Sequence, residues 1–273
     1  LASMMVGREV SFEVEKDPKE PGEVVLELKE LTVEDSRGLN AVNGLNLQLR
    51  KGEILGIAGI DGNGQSELIE AITGLRHIKS GQVLLRNEDV ANKKPREIIQ
   101  KGISNIPEDR QKHGLVLDFP IYENVILQNY MKAPFAKGNR LNFEAIKDFA
   151  QELVQKFDIR PTDINVKARA LSGGNQQKVI IAREVTNDPE ILIATQPTRG
   201  LDVGAIEYVH EALVTQRDND KAVLLVSYEL DEVLNVSDRI AVIYEGEIVG
   251  VVDAKETNEN ELGLMMAGGG THE

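Results

Sequence analysis

The 273-residue sequence predicts an α/β fold with a largely parallel sheet, preceded by antiparallel strands. Three observations lead there. A buried apolar segment, Glu53 to Ala58, runs into a glycine-rich turn, Gly59-Ile60-Asp61-Gly62-Asn63-Gly64-Gln65-Ser66, and then into a helical pattern. Three further apolar runs, Ile191 to Ala194, Ala222 to Ser227 and Ile240 to Tyr244, are continuous, as strands of a buried sheet are. Between Val24 and Leu49 short alternating apolar segments read instead as antiparallel strands.

Taken in order, Ser36-Arg37-Gly38 is the turn between the first strands. Ser66 to Thr73 is helical, with Leu68, Ile69 and Ile72 on one face, and stops at Gly74. Lys79-Ser80-Gly81 leads to an edge strand over Gln82 to Leu85. The stretch from Asn124 to Ala170 is rich in helix-forming patterns, Phe143 to Phe157 above all. Helices separate the later apolar strands in the βαβ manner that makes a sheet parallel. Glu247 to Val252 closes the fold as a hairpin strand, and the glycines after Ala267 predict a frayed end.

The composition narrows the possible roles. There is no cysteine, which excludes disulfides and thiolate metal sites and suits a reducing cytosol. No apolar run is long enough to cross a bilayer, and no signal-peptide pattern is visible. A net charge of −14 argues against nucleic acid as the main partner. The four histidines are scattered without metal-ligand spacing and are expected at solvated positions. The acidic stretch Glu229 to Glu232 is expected on an exposed helix face.

The glycine-rich turn has the layout G-x-x-x-x-G-[K]-[ST], with Gln65 where lysine belongs. Between a strand and a helix, such a loop aims backbone N–H groups and a positive helix end at one anion. A second segment follows, Leu171-Ser172-Gly173-Gly174-Asn175-Gln176-Gln177-Lys178, then an apolar strand, then Pro197-Thr198-Arg199-Gly200-Leu201-Asp202, then a strand ending Val226-Ser227-Tyr228. In that order these landmarks resemble the nucleotide-binding domain of ATP-binding cassette (ABC) transporters, over residues 25 to 253. The resemblance implies a P-loop NTPase (RecA-like) core with a mainly parallel sheet, an antiparallel β subdomain and an α-helical subdomain at about residues 120–180. It also implies ATP or ADP as ligand, with magnesium.

Against that family the departures carry chemical meaning. Gly59, Asp61, Gly62, Asn63, Gly64, Gln65 and Ser66 would contact the chain's own nucleotide, with Ser66 a weak magnesium ligand. Replacing the loop lysine by neutral Gln65 forfeits a charge-assisted hydrogen bond of about 1.5–3 kcal/mol, or roughly 10- to 100-fold in affinity. Asp61 adds a carboxylate near the phosphates. The strand that should end in Asp-Glu ends in Thr195-Gln196, which offers magnesium no charge and water no base. Loss of a positioned base costs roughly 10²–10⁴-fold. The switch histidine is Tyr228 and the metal-sensing glutamine is Glu108. No aromatic residue lies between Phe12 and Phe119 to stack adenine. The chain's own site is thus expected to bind nucleotide weakly and to hydrolyse it very slowly or not at all.

The second segment is whole. In head-to-tail dimers of the family, Ser172, Gly173, Gly174 and Gln176 would bind the nucleotide of a partner cassette, and Asp202 would cross the interface. An internal echo names that partner. Leu1-Ala2-Ser3-Met4-Met5-Val6-Gly7 and Leu262-Gly263-Leu264-Met265-Met266-Ala267-Gly268 share the pattern L-x-x-M-M-x-G, and the first residue is not methionine. The expectation is that residues 1–7 end a first ABC copy, 8–23 are a linker holding Pro18 and Pro21, 24–267 are the second copy and 268–273 a tail.

Met5-Val6-Gly7-Arg8-Glu9, Pro107-Glu108-Asp109-Arg110 and Pro197 to Ala205 resemble the second half of tandem sugar-importer ATPases. Gly62-Asn63-Gly64-Gln65-Ser66 and Ala194-Thr195-Gln196-Pro197 resemble the nucleoside-importer branch. That branch implies two membrane permease subunits, an extracytoplasmic substrate-binding lipoprotein and a place on the cytoplasmic face of the membrane. Residues from Glu108 to Asn124, with Phe119 and Tyr122, would receive the permease. Two other roles stay open: a non-transport ABC protein of ribosomes or DNA, which would favour basic arms or a coiled-coil insertion, and a nucleotide sensor, which must bind ATP tightly without hydrolysis.

Overall fold

The computed structural model describes residue 14 and residues 16–269; the first copy's expected end at 1–7, most of residues 8–15 and the last four residues lie outside them. Val24–Glu34 (β1) and Asn40–Arg50 (β2) form an antiparallel pair around the expected turn. Ile54–Ala58 (β3) enters the glycine-rich loop, and Gln65–Ile72 (α1) leaves it. Ser80–Leu85 (β4) is not an edge strand, since it lies between β1 and the two-residue Glu88–Asp89 (β5). Pro95–Gln100 (α2) follows, and then Ile103–Ile106 (β6).

The middle of the chain holds less helix than its composition suggests. A wide helical turn at Arg110–Gly114, the four-residue Ile121–Asn124 (α3) and a hairpin of Ala136–Lys137 (β7) with Arg140–Leu141 (β8) precede Phe143–Lys156 (α4). Gly173–Thr186 (α5) then leads to Ile191–Thr195 (β9), Val203–Asp218 (α6), Ala222–Val226 (β10), Leu230–Val236 (α7), Arg239–Tyr244 (β11), Glu247–Asp253 (β12) and Glu259–Met266 (α8).

The main sheet has the order β12-β11-β3-β10-β9-β6. Its strands run parallel except β12, which pairs antiparallel with β11. Both faces are covered, which is why the strands read as unbroken apolar runs. Leu55, Ile57, Ile191, Ile193 and Leu224 pack toward the antiparallel sheet and α1. Ile54, Leu192, Ala194, Val223 and Leu225 pack toward the helices. This two-sided burial fixes the strand ends, and the functional loops leave from those ends.

The described part of the expected linker is fastened down. Gly22 N donates to Lys51 O and Lys51 N donates to Glu23 O, at 2.8 and 2.9 Å. Lys16 Nζ donates to Val236 O at the end of α7 (2.9 Å) and pairs with Asp238 (3.2 Å). Lys19 Nζ donates to Arg217 O and Asp218 O at the end of α6 (3.0 and 2.9 Å). Each ammonium thus places a positive charge at the carbonyl end of a helix. At the other end of the chain, Gly268 and Gly269 are bonded to Met265 O and Leu264 O (3.1 and 2.9 Å), so the described glycines cap α8 rather than fray.

Candidate functional site

The loop from β3 to α1 is closed on itself. Gly64 caps α1 with φ of 100°, and a β-carbon there would stand 2.2 Å from Ala41 O, so only glycine fits. Three donors converge on the Ile60 carbonyl: Asn63 N (3.2 Å), Asn63 Nδ2 (3.1 Å) and Gln65 Nε2 (3.0 Å). Asn63 Oδ1 accepts from Glu245 N at 2.8 Å, fixing the loop to the β11–β12 turn. Gln65 is 2 % exposed, and its Oε1 is buried without a hydrogen-bond partner. The residue in the lysine position is therefore turned inward.

Ser66, Thr195 and Glu108 line one cleft of about 630 Å³ beside this loop. Thr195 ends β9 with its Oγ1 buried and unpartnered. Gln196 adopts φ of 47° and donates its backbone N–H to Val226 O at 2.8 Å, while its Nε2 is buried and unpartnered. Asp61, Glu108, Gln196, Arg199, Tyr228 and Glu232 line a second cavity of about 790 Å³. Tyr228 Oη donates to Asp61 Oδ1 at 2.9 Å. Burial first, then Asp61 and Glu108, push the Tyr228 hydroxyl up to about 12. Glu108 is ion-paired with Arg199, a half-exposed contact worth little by itself. The own-site residues are thus brought together, with Asp61, Glu108 and Glu232 beside them and Arg199 held by Glu108.

Two expectations about this region are corrected. His210 is not a solvated histidine: it is buried and its Nε2 lies 3.0 Å from Glu232 Oε1. Glu232 accordingly points inward from α7, only 6 % exposed, and its Oε2 has no partner. The apolar neighbours Val233 and Val236 hide it in a segment that reads as acidic. Among the described residues no cluster of three or more His, Asp and Glu could hold a metal ion.

The second segment is built differently. Ser172 caps α5, with Oγ accepting from Asn175 N at 3.4 Å and Asn175 Nδ2 at 2.9 Å. Gly173 and Gly174 form the first turn, a β-carbon on Gly174 meeting that of Ala205 at 3.0 Å. Asp202 caps α6 by accepting from Ala205 N at 3.0 Å. Gln176, expected to face a partner's nucleotide, is instead 2 % exposed. Its Nε2 donates to Ala168 O (3.1 Å) and its Oε1 accepts from Gln111 (3.2 Å), so it braces α5; the amide beside Ser172 is that of half-buried Asn175. Neither cavity at the strand ends is lined by Ser172, Gly173 or Gly174. Sequence reasoning missed β6, which carries Pro107-Glu108 into the cleft, and Arg110, which touches both α5 and the Pro197–Asp202 loop.

The fold, the glycine loop at the end of a buried strand and the capped Ser172-Gly173-Gly174 turn define an ATP-binding cassette. The family model described as ABC transporter matches residues 42–199, and the chain belongs to that family as an ATP-binding domain. It is 56 % identical over 268 residues to the guanosine import ATP-binding protein NupO of Bacillus subtilis, covering 98 % of this chain and 52 % of that protein. It is 53 % identical to the nucleoside import ATP-binding protein NupA of Lactococcus lactis subsp. cremoris, over 100 % of this chain and 54 % of that protein. The chain spans about half the length of the curated relatives it matches. Among solved structures, it is similar to a dimeric ATP-binding cassette in a post-hydrolysis state bound to ADP and Pi (TM-score 0.72, 26 % identity, 84 % of this chain and 98 % of that one).

Proposed function

We propose that this chain is the second ATP-binding half of a nucleoside importer's tandem ATPase, impaired at its own phosphate loop and lending its LSGG turn to the first half. One observation carries this reading: the lysine position, Gln65, is spent on Ile60 O, while the Ser172-Gly173-Gly174 turn keeps its cap and open first turn. The chain's own residues suit a magnesium triphosphate poorly. Gln65 and Thr195 bring no charge, and Asp61, Glu108 and Glu232 place three carboxylates in a cavity whose arginine, Arg199, is paired with Glu108. No step of hydrolysis is derived there.

In this reading Ser172, Gly173 and Gly174 meet the γ-phosphate of ATP held by the first copy, and Asp202 sits at the interface between copies. Residues 24–267 are the cassette. The length ratio to the relatives and the repeated L-x-x-M-M-x-G heptad support a first copy ahead of it. The relatives' names support nucleosides as cargo, with simple sugars the neighbouring class. Two permeases, an extracytoplasmic substrate-binding lipoprotein and the cytoplasmic membrane face complete the assembly. An apolar cavity of about 340 Å³ lined by Phe119, Tyr122, Tyr130, Leu141 and Phe143 supports a permease contact at the helical side.

The test is a pair of substitutions in the full-length protein. Ser172→Arg abolishes ATP turnover, whereas Gln65→Ala leaves it within about twofold, as expected of a group that makes no transition-state contact. The opposite result would reverse the assignment of the two sites.

A further inference from the structure

We propose that Arg110 is a catalytic residue acting in trans, its guanidinium contacting the γ-phosphate oxygens of ATP held by the first copy. This rests on the reading above that the Ser172-Gly173-Gly174 turn faces that nucleotide. Arg110 opens the helical turn that follows Glu108, and Asp109 fixes this turn by accepting from Gln111 N and Lys112 N, both at 3.0 Å. Nη1 donates to Arg199 O at 2.7 Å. Nη2 lies 3.0 Å from where a β-carbon on Gly173 would stand, and 3.8 Å from the same position on Gly200. The guanidinium therefore bridges the first turn of α5 and the Pro197–Asp202 loop.

Charge sets Arg110 apart from the other arginines of this region. Arg199 is paired with Glu108, Arg183 with Glu184, and Arg160 and Lys178 with Asp158. Among the described residues Arg110 has no carboxylate partner; one Nη is committed to a carbonyl, and Nε is buried with no acceptor. An uncompensated cation is thus held against the unsatisfied N–H groups of a helix start, and the two together attract an anion more strongly than either alone. Asp202, the nearest carboxylate to Gly174 at 3.9 Å from its β-carbon position, is held by Ala205 N.

The chemistry matches the position. In hydrolysis at the first copy's site, the water oxygen bonds to Pγ, the Pγ–O bond to ADP breaks, ADP leaves with the bridging oxygen and the water's protons end on phosphate or solvent. Negative charge spreads over the equatorial oxygens, where an arginine supplied by a neighbouring domain is effective. A planar fork can reach two of those oxygens at once. The fit at Gly173 is close, since a β-carbon there would make Nη2 give by a few tenths of an ångström.

The experiment uses the full-length protein carrying Arg110→Gln, Arg110→Lys or Ser172→Arg, with kcat, KM for ATP and the ADP retained after vanadate trapping as readouts. The expected result is a fall in kcat of about 10²- to 10³-fold for Arg110→Gln, as for other removed charge-stabilising donors, with KM nearly unchanged. Vanadate-trapped ADP falls in parallel, and Arg110→Lys recovers part of both. An unchanged kcat overturns the proposal. So does a joint change of kcat and KM with a lowered Tm and no rescue by lysine, which marks Arg110 as a brace only. If Ser172→Arg itself leaves turnover intact, the reading beneath the proposal fails, and this one with it.

Discussion

Tyr228 Oη donates to Asp61 Oδ1 across 2.9 Å, joining the loop after β10 to the glycine-rich loop after β3. Because the neutral phenol is what burial and the two carboxylates favour, the bond is a feature of protonated Tyr228. Its contribution is complete below the ordinary tyrosine range and is lost as pH climbs from about 10 toward 12. The wild-type chain should therefore lose stability over that alkaline window more steeply than Tyr228→Phe. Denaturant midpoints at successive pH values measure the difference, and equal slopes would remove the bond's role.

Restoring the missing cation should repair binding without repairing chemistry. Gln65→Lys frees the Ile60 carbonyl and returns a charge-assisted contact, raising the chain's affinity for ATP by about 10-fold or more. Turnover stays at background, since Thr195 and Gln196 are unchanged. Calorimetric titration followed by phosphate release checks both halves; brisk hydrolysis by this single variant would show that Thr195-Gln196 suffices.

Gln176 should behave as a structural residue. Gln176→Ala strips partners from Ala168 O and Gln111 and is expected to cost about 1–3 kcal/mol in urea unfolding. Any loss of ATPase in the full-length protein should track that loss of stability.

The buried His210–Glu232 pair makes a similar, separable claim. His210→Ala leaves the Glu232 carboxyl with no partner on either oxygen inside the fold, and a cost of about 1–3 kcal/mol is expected for the lost buried hydrogen bond. Pairing it with Glu232→Gln should recover part of the loss. A fully additive double mutant would mean that the two side chains do not interact.

How much of this was legible beforehand depends on how far each signal reaches. The strands β3, β9, β10 and β11 declare themselves as apolar runs because two layers cover them. The glycine loop declares itself because Gly64 has no substitute against Ala41 O. β6 stayed hidden, for its Ile-Ser-Asn-Ile reads as a loop, and only the Ser104 hydroxyl's bond to Glu184 O explains a polar residue inside. Gln65 reads as an absent lysine, yet its second role, sealing Ile60 O, requires knowing which way the amide turns. Gln176 and His210 failed for a shared reason: their partners are distant in sequence or on another helix, and polarity alone does not reveal a satisfied interior contact.

The two lysines near the front of the chain tie these distant parts to one lever. Lys16 holds the far end of α7, whose near end follows Tyr228, and Lys19 holds the far end of α6, whose near end is Asp202. Residues 16–19 are thus fastened to the two helices whose opposite ends adjoin Tyr228 and Asp202. The approach to the domain is thereby a handle as well as a tether.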